Sequence, residues 1–314
     1  MAELAFSDGN AATMPPARAP QKPLIGIVLM LAAMAVLPFL DVVAKTLGEQ
    51  SVPVVQIVWA RLFFGMLITL PVAWKVVGLK GRAPDPFWMH SLRGLFLCSA
   101  TFFFFWGLKL LPIADTLAIF FVQPLIVTML SPVMLGEKVG VRRWAAVLIG
   151  FIGTLIIIRP GFQAFNPGML MALAAGTSLA IYMLLTRKIS GRANAMVTTF
   201  HTNVVGSIIT TIAVLFVWQA PTTEQWLLFP LLGLIATIGH SLIVKAYDHA
   251  EASLLAPLAY AEMIMAVVAG WYFFGDFPDR WTFVGVGILI ACAIYISYRE
   301  RVRKLPPSVS GEHS

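Results

Sequence analysis

Long apolar segments fill almost the whole chain, and short polar connections separate them. A helix rises about 1.5 Å per residue, so about 20 apolar residues cross the hydrocarbon core of a bilayer. Segments of that length predict a polytopic, all-α membrane protein with ten transmembrane helices. No stretch is left over for a soluble domain. The predicted spans are 24–44, 54–75, 87–109, 113–135, 142–158, 167–187, 195–218, 226–246, 252–274 and 281–298.

Composition agrees with a bilayer environment. The 314 residues are 59% hydrophobic and 12% charged, whereas an ordinary soluble domain carries about 25% charged residues. Cys98 and Cys292 both fall inside predicted spans, which favours packing thiols over a disulfide framework. Residues 1–22 and 299–314 are polar or basic, and we expect both to be cytoplasmic tails, the first of them disordered.

The basic residues are unevenly distributed between the two sides of the predicted topology. With the N-terminus inside, the inner segments carry 16 Lys and Arg residues and the outer segments carry 4, while Arg61 and Arg93 lie within spans. Because cytoplasmic loops of membrane proteins are enriched in Lys and Arg, both termini are predicted to be cytoplasmic, with the protein in the cell inner membrane. The same bias explains the net charge of +7 without a nucleic-acid partner.

The chain also contains a faint internal repeat. A shift of 139 residues aligns Gly94 with Gly233, and Gly136-Glu137 with Gly275-Asp276. The shift crosses five predicted spans, an odd number, so the second half must lie inverted relative to the first. Inverted repeats are typical of secondary transporters that bind substrate near the membrane midplane. The predicted halves are residues 23–160 and 161–298.

The motifs of the repeat carry a family resemblance. Residues 111–160 read LPIADTLAIFFVQPLIVTMLSPVMLGEKVGVRRWAAVLIGFIGTLIIIRP, and residues 250–277 read AEASLLAPLAYAEMIMAVVAGWYFFGDF. A short loop enters each span, and Gly-Glu or Gly-Asp closes it. This pattern resembles an EamA-type member of the drug/metabolite transporter superfamily. The resemblance implies two inverted five-helix repeats around a central cavity, working by alternating access, and substrates such as amino acids, vitamins or nucleotide-like compounds.

Glu262 is the strongest candidate for a functional side chain. It lies near the middle of the ninth predicted span, where a charged group costs about 2.5–3.5 kcal/mol on insertion scales. Its repeat counterpart is Gln123, in the middle of the fourth span, and both should approach the pseudo-two-fold axis. Glu262 is therefore predicted to bind a substrate amine or to exchange a proton. The alternative is a neutral carboxyl group that ties two helices together.

Two residues of the second span are further substrate-binding candidates. Arg61 needs a partner inside the bilayer, and Asp41 at the outer end of the first span is at a reachable depth. The sequence therefore allows either a structural Arg61–Asp41 pair or a site for an anionic substrate group. Trp59 has an aromatic ring that either stacks on a substrate ring or packs in the core.

Several polar residues of later spans complete the candidate substrate site. Asn203 and two histidines lie in inner halves of spans; the histidines titrate near neutral pH and fit a proton relay or simple hydrogen bonding. His240 is the second candidate, beside Glu262, for proton coupling. The tyrosines are amphipathic enough to line a cavity. These candidates are His201, Asn203, His240, Tyr182 and Tyr260.

Other conspicuous residues are interpreted as structural. Arg93 and His90 lie near the inner end of the third span. Glu137 and Asp276 follow span ends, where a carboxylate caps a helix or pairs with a nearby cation such as Lys138 or Arg280, and both are interpreted as structural or gate-supporting. Small residues in the fifth and tenth spans predict close packing of these two helices; they are Ala146, Gly150, Gly287 and Ala291.

Enzyme classes are not supported by any motif. The chain contains no Gly-x-Ser-x-Gly elbow, no His-Glu-x-x-His and no phosphate-binding loop, so neither an enzyme nor direct ATP drive is expected, nor a cofactor or metal. The sequence favours a secondary carrier for a small, amino-acid-like metabolite. The aromatic content of the chain allows an aromatic ring in the substrate, and proton coupling is a hypothesis. A riboflavin-like or nucleoside-like substrate is the alternative, and a non-transporting receptor or scaffold is the alternative from another class. The expected partners are the substrate and the lipid bilayer, with the protein a monomer or weak homodimer.

Overall fold

The fold is a bundle of helices joined by short connections. The computed structural model describes residues 22–77, 86–136, 140–158, 166–189, 195–250 and 255–304. Glu137, Lys138 and most of both predicted tails lie outside this part of the chain. The helices are α1 Pro23–Glu49, α2 Val54–Val77, α3 Phe87–Leu110, α4 Ile113–Phe120, α5 Gln123–Leu135, α6 Val141–Ile158, α7 Pro167–Lys188, α8 Ala195–Val214, α9 Thr223–His249, a 3₁₀ segment Ala256–Tyr260, α10 Ala261–Phe274 and α11 Arg280–Lys304.

These helices account for the ten predicted spans. Eight spans are single helices, the fourth consists of α4 and α5, and the ninth consists of the 3₁₀ segment and α10. Within the described ranges, six helical stretches are long and apolar enough to cross a bilayer, and three shorter apolar helices accompany them. The all-α, ten-span prediction is confirmed.

The packing of the helices follows the inverted repeat. The repeat relates α1 to α7, α2 to α8, α3 to α9 and α6 to α11. In the structure α1 packs along α9 just as α7 packs along α3, and α2 contacts α9 just as α8 contacts α3. The contacts α2–α8 and α6–α11 each join two helices that the repeat relates, so the repeat maps each contact onto itself. Helix packing therefore has a pseudo-two-fold axis, and the two five-helix halves interlock across it.

Two repeat-related glycines permit these close approaches. A Cβ atom added to Gly233 would lie 2.7 Å from the backbone nitrogen of Gly65, where α9 crosses α2. A Cβ atom added to Gly94 would lie 3.0 Å from the Cβ of Val205, where α3 crosses α8. The sequence alignment paired these two glycines, and their contacts are images of one another.

Replacing Gly233 with alanine is expected to destabilise the bundle. The new methyl group meets backbone atoms of α2, which cannot rotate away, and overpacking of this kind costs about 1–3 kcal/mol. Gly287 is the matched control, because a Cβ atom there meets nothing within 4 Å. Thermal unfolding in detergent should show a lower midpoint for Gly233→Ala and an unchanged one for Gly287→Ala. Equal midpoints would contradict the packing described for Gly233.

The fourth and ninth spans are both interrupted near their middles. The fourth turns at Phe121–Val122 before α5 begins at Gln123, and the ninth changes from 3₁₀ to α-helix between Tyr260 and Ala261. Pro124 lies in the first turn of α5, where a proline's missing N–H group costs nothing. The interruptions place Gln123 and Glu262 in the first turns of repeat-related half-helices.

Packing between α6 and α11 uses different glycines from those expected. Gly153 approaches Ile288 and the backbone of Gly285, and Gly285 approaches Ile157. Gly150 instead packs against Leu125 of α5, and Gly287 faces open space. The sequence identified the correct pair of helices, but its choice of contact residues was wrong because a small-residue spacing does not fix which helix face is used.

Candidate functional site

Arg61 of α2 contacts polar side chains of α3 and α9, and Asp41 of α1 is within electrostatic range of both Arg61 and Glu262 of α10. We call this set the central polar group and define it as Asp41, Arg61, Thr101, His240 and Glu262. Arg61 holds it together: Nη1 donates to Thr101 Oγ1 at 2.5 Å, and Nη2 lies 3.3 Å from His240 Nε2. The guanidinium also lies over the Phe105 ring, 5.6 Å from its centre.

The contact between Arg61 and His240 defines the state of the imidazole. A guanidinium can only donate hydrogen bonds, so His240 Nε2 accepts this one and carries no proton of its own. Thr101 likewise accepts from Arg61, because its own hydroxyl donates to the Leu97 carbonyl at 3.0 Å. In this geometry His240 positions Arg61, and it can take up a proton at Nε2 only by releasing the guanidinium.

The two carboxyl groups of the central polar group have fewer hydrogen-bond partners than Arg61. Asp41 is only 5% exposed, yet it makes no hydrogen bond and no direct ion pair with any residue that the structure describes. It lies within electrostatic range of both Glu262 and Arg61. Glu262 is half-buried and, within the same described ranges, also has no hydrogen-bond partner. The structural Arg61–Asp41 pair considered from the sequence is therefore not formed as a direct contact.

Exposure within the group indicates a cavity. His240 is exposed although Arg61 contacts it from α2 and its neighbour Gly239 packs against Leu37 of α1. Arg61 and Glu262 are half-buried. Side chains that are accessible yet surrounded by helices line an internal space, and polar groups converging on such a space are typical of ligand sites.

Two aromatic side chains lie at the pseudo-two-fold axis beside this space. Phe121, at the turn in the fourth span, packs on Tyr260 of the 3₁₀ segment, with ring centres 5.0 Å apart. These two residues are separated by 139 positions, the repeat shift, so they are images in direct contact. Gln123 is buried, and its amide donates to the sulfur of Met183 in α7. Tyr260 thus lies at the axis, and Gln123 follows its ring partner Phe121 by two residues.

A second polar cluster surrounds Arg93, between α3, α7 and α8. Arg93 is 4% exposed and donates to the Thr198 carbonyl at 2.8 Å and to Thr202 Oγ1 at 2.6 Å. Its guanidinium stacks over Tyr182 at 5.2 Å. His201 belongs to this cluster, with Nε2 3.3 Å from Ser91 Oγ. The structure therefore separates His201 from the central polar group, while Tyr182 lies between the clusters and within electrostatic range of Arg61.

Two further candidates lie outside the central polar group. Trp59 donates to Thr211 Oγ1 at 3.1 Å and stacks on Phe63, with ring centres 5.0 Å apart, in an aromatic cluster that includes Trp218 beyond the end of α8. Asn203 lies against Gly65 of α2. The structure favours a packing role for Trp59 and does not bring either side chain to Glu262.

A salt bridge joins three helix ends at the side of the bundle where α1 ends. Lys45 Nζ lies 2.7 Å from Asp276 Oδ2, and it donates to the Leu111 carbonyl at 3.2 Å. Lys45 is only 7% exposed. Of the roles open to Asp276 from the sequence, pairing with a cation is the one observed. The cation is Lys45, whereas Arg280, the example named from its closeness in sequence, lies over the Trp281 ring.

Sequence reasoning assigned no role to Lys45 or Thr101 and considered Asp41 only as a partner of Arg61. The first span was predicted to end at residue 44, whereas α1 continues to Glu49. Asp41 therefore lies about two helical turns inside the end of α1, and Lys45 belongs to the helix instead of a loop. The sequence does contain a signal for the later end of α1, because Gly48 and Gln50–Ser51 form the first strong helix-stop signal after the apolar run.

The arrangement can bind a charged small molecule. Two carboxyl groups without direct partners in the described chain accompany a guanidinium that has unused N–H groups. Clusters of three or more His, Cys, Asp or Glu side chains suited to a metal do not occur among the described residues.

Comparison with known proteins gives the family. The model of the EamA-like transporter family matches the chain twice, over residues 24–159 and 166–298. The two matches correspond to the two halves of the bundle.

Curated relatives cover most of the chain. The S-adenosylmethionine uptake transporter of Rickettsia bellii is 28% identical over 83% of this chain and 89% of its own length. The riboflavin transporter of Vibrio cholerae is 28% identical over 88% of this chain and 94% of its own. The pseudopaline exporter of Pseudomonas aeruginosa is 24% identical over 85% and 94%.

A solved structure shares the fold. A crystal structure of a protein that is 19% identical superposes with a TM-score of 0.60, covering 90% of this chain and 98% of that one. At this identity the likeness concerns the fold alone.

Proposed function

The chain belongs to the EamA-like transporter family of the drug/metabolite transporter superfamily, and we propose that it carries a small, amino-acid-like metabolite across the bacterial inner membrane by alternating access. Family membership makes the chain a multi-pass membrane transporter of small metabolites and not an enzyme. A receptor or scaffold without transport has no support among its relatives. The proposal concerns the substrate class, the site and the orientation.

The observation that carries the proposal is the placement of Glu262. It lies in the first turn of a half-helix, beside the pseudo-two-fold axis, and faces Asp41 across a polar space that also contains Arg61. Discontinuous helices at the midplane form the substrate sites of many inverted-repeat carriers. Glu262 would bind the substrate's ammonium group, and the unused N–H groups of Arg61 would bind its carboxylate.

The orientation follows from the bias of basic residues. With both termini in the cytoplasm, the end of the bundle that contains the Lys45–Asp276 salt bridge faces outward, and the Arg93 cluster lies on the cytoplasmic side. The described conformation is then held closed toward the outside. Proton coupling through Glu262 belongs to the same proposal, because a proton and a substrate cation would compete for one carboxylate.

The relatives agree with an amino-acid-like substrate in one respect. S-adenosylmethionine, taken up by the Rickettsia proteins according to their names, contains an α-amino acid and an aromatic base. A riboflavin-like substrate is the second candidate. The Phe121–Tyr260 ring pair at the axis favours it, because an isoalloxazine ring could stack there, and two relatives are named riboflavin transporters.

Uptake by reconstituted protein tests the proposal. Purified protein in liposomes should accumulate labelled S-adenosylmethionine or another amino-acid-like metabolite above the level of empty liposomes, and a pH gradient should change the rate if a proton is coupled. Riboflavin uptake alone would favour the second candidate. Uptake of neither class, by a preparation that unfolds cooperatively, would contradict the proposed substrate class.

A further inference from the structure

An ordinary, zwitterionic amino acid would not neutralise all the charges of the central polar group. Asp41 and Glu262 are two carboxyl groups, and Arg61 is the one guanidinium. His240 is neutral where it accepts from Arg61. A zwitterionic substrate would satisfy one carboxylate and the guanidinium, and the second carboxylate would be left buried without a cation.

The inverted repeat places Asp41 beside Glu262 independently of the electrostatics. Gly26 of α1 packs on Ala250, and Gly168 of α7 packs on Leu111, which is the image of Ala250 at a shift of 139. Gly26 and Gly168 are therefore images at a shift of 142.

The same shift relates residue 41 of α1 to residue 183 of α7. Asp41 and Met183 are thus images, as are Glu262 and Gln123. In the first half of the chain, Gln123 contacts Met183 directly. The image of that contact is Asp41 next to Glu262, and α1 does pack against α10. One side of the axis holds an uncharged amide and thioether, whereas the other holds two carboxyl groups.

The nearest lysine cannot neutralise Asp41. Lys45, one turn further along α1, is bound to Asp276 and the Leu111 carbonyl. Arg61 makes no direct ion pair with Asp41 within the described chain, and in the proposed site its charge is matched by the substrate carboxylate. A buried carboxylate without a cation is strongly unfavourable in a low-dielectric site, so the missing positive charge has to come from a ligand or from a proton.

From this charge count we infer that the substrate carries two cationic groups and one anionic group, a net formal charge of +1, and that Asp41 binds the second cation. This rests on the proposed function, because it assumes an amino-acid-like substrate at Glu262 and Arg61. The ammonium group lies at Glu262, the carboxylate at Arg61, and a sulfonium or side-chain ammonium at Asp41. Asp41 is thus a residue that determines substrate specificity.

A matched pair of ligands isolates the second cation. S-adenosylmethionine and S-adenosylhomocysteine differ by one methyl group and by the sulfonium charge that it creates. L-lysine and L-norleucine form a second pair, which differs by the side-chain ammonium and carries no adenosine. Binding of each ligand to the purified full-length protein is measured by calorimetry and by thermal shift at constant ionic strength.

Wild-type protein should bind the cationic member of at least one pair about tenfold or more tightly, because only that member places a positive charge beside the otherwise uncompensated Asp41 carboxylate. Asp41→Asn should remove that preference by weakening the cationic member. Asp41→Glu, which retains the charge, should keep part of the preference. Glu262→Gln should weaken both members of the pair.

The outcomes separate this inference from the proposed function. If both members bind with equal affinity, or if Asp41→Asn retains the preference, the second-cation role of Asp41 is wrong while the amino-acid site stands. If neither pair binds to well-folded wild-type protein, the proposed substrate class fails with it. If Asp41→Asn does not fold, the comparison between wild type and Asp41→Glu decides: a reduced preference for the cationic member supports the role of Asp41, and an unchanged preference contradicts it.

Discussion

Glu262→Gln should reduce substrate uptake by about 10- to 100-fold without unfolding the protein. The substitution keeps the shape of the side chain and removes the charge that would attract the substrate's ammonium group. A hydrogen bond to a charged group contributes about 1.5–3 kcal/mol, which corresponds to that range of rates or affinities. The measurement is initial uptake into proteoliposomes at substrate concentrations well below saturation.

The chain offers a matched control for this substitution. Glu224 is an exposed glutamate in the first turn of α9, where it accepts a hydrogen bond from Gln50. Glu224→Gln makes the same chemical change outside the bundle and should transport normally. Uptake by Glu262→Gln at the wild-type rate would rule out Glu262 as a substrate ligand, whatever its effect on stability.

A covalent link between positions 45 and 276 should stop transport almost completely. The Lys45–Asp276 salt bridge joins the end of α1 to the residue after α10, and the Leu111 carbonyl joins α3 to the same lysine. Alternating access requires these helix ends to separate so that the central polar group opens toward this side. Lys45→Cys with Asp276→Cys, treated with a short, reducible bis-thiol reagent, should lose uptake and recover it on reduction.

The controls for cross-linking use the chain's own cysteines. Cys98 and Cys292 are both buried and should first be replaced with alanine, so that the reagent meets only the two new thiols. Each single-cysteine variant should keep its activity when treated with the same reagent. Full transport by a doubly cysteine-substituted protein with proven cross-linking would show that this end of the bundle need not open.

Hydrophobic length and the repeat were sufficient to predict the fold. Ten apolar runs predicted ten spans because a bilayer demands long apolar helices with all backbone hydrogen bonds made internally. The odd number of spans within the repeat shift predicted inversion, and the mirrored contacts of Gly94 and Gly233 confirm the alignment. Interruption of the fourth and ninth spans was less visible, since hydropathy is continuous through both.

Sequence reasoning could predict only part of the candidate site. Arg61 and His240 are in contact, and Asp41 is within electrostatic range of both Arg61 and Glu262, because an ionisable or polar group in a bilayer is driven toward the bundle interior. Trp59 and His201 could not be separated from that set by sequence, since hydrophobic periodicity does not say which interior neighbour a side chain meets. Asp41 was misjudged in depth when the end of α1 was placed five residues early.

Pairings between distant segments had to come from the structure. Lys45 and Asp276 are 231 positions apart, and no local pattern links them. The same holds for Arg61 and His240, whose contact joins α2 to α9. Such contacts depend on how the two halves interlock, which a single sequence encodes only through the weak repeat.

Counterflow in proteoliposomes tests most directly whether Glu262 serves one substrate site that faces the two sides in turn. Vesicles preloaded with unlabelled S-adenosylmethionine, or with the best ligand from the binding pairs, are diluted into a trace of the labelled compound. A carrier with one alternating site should show a transient overshoot of label, which the Glu262→Gln protein should lack. Labelled compound that enters at the same rate with and without preloading, or an overshoot that persists in Glu262→Gln, would contradict that mechanism.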